Sequence, residues 1–158
     1  LAINWLPPLV LLNEYGGDWD LYLDALYGHF RRDFLGGATP TFRGLPVRLK
    51  RYPVEQDKEA TFWHFISEGS VESERTIDFR RCERICWPRS IMDNATDPDL
   101  KVWDQEIRGE IRTHIWCEEH DYMLVIANRR TFFLPWTAYS VTQTHERRKL
   151  AKRWQTYR

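Results

Sequence analysis

The 158-residue chain has only three cysteines. An odd number argues against a framework built from disulfides alone and fits a reducing compartment better. It also lacks a long apolar run. Its apolar start, residues 1–12, is broken by Pro7-Pro8, is too short to span a bilayer and has no basic region of the kind that opens a secretory leader. A soluble, cytoplasmic protein without a membrane partner is the expectation. Net charge is missing too: 23 basic side chains balance 23 acidic ones, which excludes a uniformly basic nucleic-acid coat. No phosphate-binding glycine loop is present, because neither Gly16-Gly17 nor Gly36-Gly37 belongs to a Gly-x-Gly-x-x-Gly or P-loop pattern. A Gly-x-Ser-x-Gly nucleophile elbow is absent as well.

Aromatic residues are abundant: 8 Trp, 7 Tyr and 8 Phe. Such side chains fill cores at low rotamer cost, and some can serve as stacking surfaces. Charge is blocked along the chain. Residues 31–53, 79–91 and 129–158 carry +5, +3 and +7, and acidic stretches lie between them. The three basic blocks either fold onto one positive face or alternate around a solvated surface.

Hydrophobic periodicity gives an α+β fold in one domain, residues 1–158: N-terminal helices, a central twisted antiparallel sheet of about four strands and a basic C-terminal helix. Residues 1–40 form the helical N-terminal part. Leu21, Leu23, Leu26, Tyr27, Phe30 and Phe34 recur at helical steps, Asp18 is the N-cap, and Gly36-Gly37 ends the helix. Residues 41–92 supply a strand, a loop and a helix. Apolar and basic residues alternate from Leu45 to Lys50, with Pro46 placing that strand at an edge or a bend. Residues 59–67 read as strand or short helix, 68–78 as a polar loop, and 78–92 as one helix that Pro88 ends or kinks near Cys86. Residues 106–141 form an antiparallel meander with short turns. Residues 144–157 close the fold as a helix, turning Leu150, Ala151 and Trp154 toward the sheet.

Cys82, Cys86, Cys117 and His120 are four potential zinc ligands. However, the two helical cysteines sit on an apolar stripe, where free cysteine is simply buried. The acids give no spaced cluster that points to two-metal chemistry. No metal and no cofactor are expected.

What remains suits phosphodiester cleavage by the ribose 2′-hydroxyl, which needs a base, cations at the phosphoryl oxygens and an acid for the leaving 5′-oxygen. His64 is the candidate base or acid, or else a satisfied core histidine between Trp63 and Phe65. Arg80, Arg81 and Arg84 offer bidentate phosphate contacts, or else form a solvated helix face. Thr137 and Tyr139 stand two apart on a strand and point to one side. They are either a phosphate ligand with an acid or stacker, or ordinary strand formers.

The run from Tyr122 to Val141, with Pro135-Trp-Thr-Ala-Tyr139 near its end, resembles the closing hairpin of the barnase–EndoU–colicin E5/D–RelE ribonuclease superfamily. The likeness is greatest to its phage- and toxin-associated branches. It is strong over about 20 residues and loose over roughly 80. The whole chain also resembles a group of bacterial proteins sharing the strings Ala60-Thr-Phe-Trp-His64 and Arg80-Arg-Cys-Glu-Arg-Ile85. The superfamily resemblance implies a metal-independent ribonuclease that leaves a 2′,3′-cyclic phosphate. In this chain His64, an arginine among Arg80, Arg81 and Arg84, then Thr137 and Tyr139 fit its site. Trp136 has no counterpart in that set.

The expected function is therefore an endoribonuclease toxin restrained by a protein antitoxin. Its catalytic residues would be His64, Arg81, Arg84, Thr137 and Tyr139. RNA contacts would come from Arg48, Lys50, Arg80, Arg130, Arg147 and Arg148. The rival expectations are a non-catalytic RNA- or DNA-binding module and a protein-interaction partner without enzymatic activity.

Overall fold

The computed structural model describes residues 2–158; Leu1, part of the apolar start, lies outside the described residues. After a 3₁₀ turn at Leu12–Tyr15, helix α1 spans Trp19–Phe34. The Asp18 carboxylate accepts from the Leu21 amide at 3.1 Å, which caps a free N–H at the helix start. Tyr22, Leu23, Leu26, Phe30 and Phe34 form the buried face of α1, whereas Leu21 is 56% exposed despite its helical spacing. The Tyr22 hydroxyl finds the Val10 carbonyl at 2.6 Å, so a buried phenol is satisfied.

A two-residue pair, β1 (Thr41–Phe42) and β2 (Leu45–Pro46), follows. The strand expected to reach Lys50 stops at Pro46, and the chain continues extended. Val47 makes a parallel bridge to Phe133, and the Arg48 amide donates to the Phe133 carbonyl at 2.9 Å. The ambiguous segment is a helix, α2 (Ala60–Ile66). Phe62 and Phe65 pack edge-on or tilted against Phe30 and Phe34 of α1, with ring centroids 5.4–6.0 Å apart. The polar loop holds a small antiparallel pair, β3 (Ser67–Glu68) with β4 (Thr76–Ile77), around a 3₁₀ turn at Glu72–Glu74.

The single helix expected over 78–92 is two. Helix α3 (Phe79–Glu83) is capped by Asp78, and α4 (Trp87–Asp93) begins with Pro88 in its first turn. A proline needs no amide partner there, so it opens the second helix rather than bending one long helix.

The main sheet has the order β5-β6-β7-β8, all antiparallel: β5 (Lys101–Ile107), β6 (Glu110–Cys117), β7 (Tyr122–Asn128) and β8 (Phe133–Ser140). The β5–β6 link is the two-residue turn Arg108-Gly109, with φ of 51° and 82°, the double positive φ of a tight hairpin. Tyr122, Leu124 and Ile126 face the core beneath α1–α4. Met123 and Val125 face a second core with Trp103, Trp116 and Val141, covered by Leu150 of helix α5 (Thr144–Tyr157). With both faces covered, β7 is apolar nearly throughout. The N-terminal segment is strapped to the β6–β7 turn, where the amides of Ala2 and Ile3 donate to the Glu119 carboxylate at 3.0 and 2.8 Å.

Candidate functional site

Strand β8 lies at one edge of the sheet, and α2 and α3 pack beside it. A bulge interrupts its pairing with β7: Val125 faces Thr137 and Ile126 faces Pro135, which leaves Trp136 as the extra residue. The bulge turns the Trp136 carbonyl toward His64 on α2, 3.4 Å from Nδ1. On the other side of the imidazole, Nε2 lies 3.0 Å from both Glu72 oxygens. Burial lowers the His64 pKa; the Glu72 hydrogen bond opposes this and the Arg75 charge adds to it. Glu72 and the Trp136 carbonyl both accept, so each favours an N–H on its own side of the ring, against the burial and the Arg75 charge.

Arg81 is the centre of the arrangement. The Asp78 cap accepts from its amide at 3.3 Å and fixes the start of α3. Its Nη1 donates to the carbonyls of His64 (3.0 Å) and Ser67 (2.5 Å) and reaches Thr137 Oγ1 at 3.4 Å. Among the described residues, neither Nη2 nor the buried Nε makes a hydrogen bond, and Nε lies 3.6 Å from an Asp78 oxygen. Burial depresses the Arg81 pKa, while Asp78 and Glu68 hold the charge in place.

Two cavities meet at this residue. The first, about 290 Å³, is lined by Lys50, His64, Glu72, Arg75, Arg81, Trp136 and Thr137 among others. The second, about 430 Å³, is lined by Arg81, Thr137 and Tyr139 together with the acids Glu68, Asp78 and Glu146. Arg81 and Thr137 belong to both. The Arg81 guanidinium sits 5.8 Å from the Tyr139 ring centroid, and burial raises the Tyr139 pKa.

Four of the five catalytic candidates thus gather around one ridge. Arg84 is directed elsewhere: it stacks on Trp87 at 5.1 Å and donates to the Arg80 carbonyl at 3.1 Å. Of the expected RNA contacts, Lys50 alone lines the His64 cavity. Arg48 lies over Phe132 at 5.4 Å. Arg80 is exposed on α3, and Arg130 lies in the β7–β8 turn. On α5, Arg147 pairs with Asp121 over the Trp116 ring, and Arg148 is exposed.

Compared with family models, curated proteins and solved structures, the chain matches none.

The ribonuclease resemblance therefore rests on the residues themselves. Two groups in the cavity, Glu72 and Arg75, were hidden in a segment read only as a polar loop. Arg75 braces that loop by donating to Ser67 Oγ at 2.9 Å and the Gly69 carbonyl at 2.7 Å. Gly69 has φ 134°, and a Cβ there would stand 3.3 Å from the Arg75 Cα, so this position needs glycine.

The cysteines do not join His120. All three are free and buried. Burial pushes the Cys82 thiol up to about 12 and the Cys117 thiol up to about 11, while the His120 Nε2 lies 3.1 Å from the Ile3 carbonyl. Among the described residues, no three His, Cys, Asp or Glu side chains gather in a way that could hold a metal ion. Among them, too, no helix is long and apolar enough to cross a membrane.

Proposed function

We propose that the protein is a metal-independent endoribonuclease of the toxin type, held in check by a protein antitoxin. One observation carries the enzymatic reading: Arg81 and Thr137 line both cavities, with the His64–Glu72 pair on one side and Tyr139 on the other. In-line cleavage needs that order. The attacking 2′-oxygen and the leaving 5′-oxygen stand on opposite sides of phosphorus, so base and acid must flank the phosphate-binding groups.

The Glu72 carboxylate, held in place by the His64 Nε2–H, takes the 2′-hydroxyl proton as the 2′-oxygen forms its bond to phosphorus. The Arg81 Nη2 and Thr137 hydroxyl, with Arg75 and Lys50 nearby, stabilise the charge that builds on the phosphoryl oxygens. Tyr139 holds its proton in this buried setting and donates it to the 5′-oxygen as the P–O5′ bond breaks. The products are a 2′,3′-cyclic phosphate and a 5′-hydroxyl end. The toxin role and the antitoxin follow from the resemblance in the closing hairpin.

A second reading has its own support. His64 is only 7% exposed, and both ring nitrogens have protein neighbours, as in a histidine that locks α2 to β8. The protein would then bind RNA without cutting it. Incubation of purified protein with total RNA in EDTA, followed by end-group analysis, separates the two. Cyclic phosphate ends that vanish in Tyr139→Phe support the enzyme. Intact RNA with salt-dependent binding overturns it in favour of the binding module.

A further inference from the structure

Trp136 has no part in the chemistry above, yet three cations from separate segments converge on its ring. Lys50 lies 5.8 Å, Arg112 4.9 Å and Arg129 5.9 Å from the indole centroid. Arg112 and Arg129 are held there by one carboxylate, each pairing with an oxygen of Glu110 at 2.9 Å. That leaves an excess of positive charge around a half-buried indole. The ring also lines the His64 cavity and stands edge-on to the imidazole at 6.2 Å. It owes this place to the β8 bulge, which makes it the unpaired residue of the strand.

We infer that Trp136 is a stacking platform for an unpaired nucleobase beside the scissile phosphate, so that the substrate is single-stranded RNA. Lys50 neutralises the phosphate on the cavity side, and Arg112 and Arg129 neutralise the one beyond. An indole accepts the π-face of any base, which makes the contact tolerant of sequence. A base within a duplex is already stacked and paired, and reaching the platform would require opening the helix. The inference rests on the reading of the His64 cavity as a phosphate site.

Anisotropy of labelled 2′-O-methyl RNA, which cannot be cut, tests it on the whole protein. Single strands should bind at least about ten-fold tighter than the matching duplex. Trp136→Ala should lose roughly ten-fold in affinity, and Trp136→Phe should stay near the wild type because it keeps a ring. If the alanine variant does not fold, Trp136→Leu replaces it, keeping apolar bulk without a π-face. Equal binding of duplex and single strand overturns the platform, as does an unchanged affinity in the alanine or leucine variant. So does poly-L-glutamate bound as tightly as RNA and insensitive to Trp136, which would mark the surface as a site for acidic protein. Total RNA left uncut by a protein that shows the Trp136-dependent binding sinks the ribonuclease reading alone. Cut RNA with Trp136-independent binding sinks the platform alone.

Discussion

Arg81 Nη1 donates to the backbone carbonyl of His64 at 3.0 Å. The guanidinium assigned to phosphate therefore also ties down the end of the helix that carries the imidazole. A side chain with two tasks gives its variants two distinguishable signatures.

Arg81→Ala leaves the His64 carbonyl without its charged donor in a buried place, while the Ser67 carbonyl keeps only Arg75 Nη2. Such losses cost about 2–4 kcal/mol. A urea titration should show a lower midpoint. Arg81→Met, which fills the space without charge, should leave the protein folded and abolish RNA cleavage; a Met variant as active as the wild type contradicts the phosphate role.

Tyr139→Phe removes one hydroxyl and keeps the ring packed against the second core, on the strand position paired with Met123. Stability should change by less than about 1 kcal/mol, while the rate should fall by roughly 10² or more, as expected for loss of a general acid. Growth arrest on induction should weaken in parallel. Thermal melts and single-turnover cleavage measured on the same preparation check both halves.

Acid should loosen the fold through its buried imidazoles. Burial, with Arg153 next to the ring, lowers the His114 pKa to about 4, and burial lowers that of His64 as well. In the unfolded chain both titrate near pH 6.5. Between about 6.5 and 4 the unfolded state binds more protons, so stability is full above that window and declines as pH falls through it. His114 alone contributes on the order of 3 kcal/mol to the decline. The urea midpoint should drop from pH 7 to pH 5, and His114→Gln should flatten that drop; an equally steep profile in the variant removes His114 as its source.

Gly69→Ala tests the brace behind the cavity. The new methyl group meets the Arg75 backbone at 3.3 Å, from a φ that L-residues avoid. A cost of about 1–3 kcal/mol is expected, together with a displaced Arg75 and slower cleavage. Unchanged kinetics would show that the loop carrying Glu72 does not need this geometry.

The elements that could be read from the sequence are those whose side chains repeat with a clean period. Helices α1 and α5 fall in this class, whereas strands β6 to β8 show instead as short strand-forming runs separated by turn residues, β7 being apolar nearly throughout. Strand β5 escaped because its outward residues, Asp104 and Glu106, leave only Trp103 buried, and because Arg108 is an unusual first residue for a tight hairpin turn. The 78–92 region kept an apolar stripe across a break, so periodicity alone joined two helices into one. Of the residues lining the two cavities, His64, Arg81, Thr137 and Tyr139 stand out in the sequence by residue type and spacing. Glu72 and Arg75 do not, since their position depends on a small hairpin closed by Ser67 and Ile77. Trp136 required the bulge, a property of pairing between strands rather than of one strand.

The strap from Ala2 to the β6–β7 turn joins groups 117 positions apart, whereas each strand of the meander pairs with its immediate successor. Closing so large a loop carries a greater entropic cost than forming neighbouring hairpins. The meander should therefore assemble first and the strap dock last. Amide exchange would then be slowest in the middle of β7 and fastest at Ala2 and Ile3, and a trap set for the half-folded chain would catch it by its beginning.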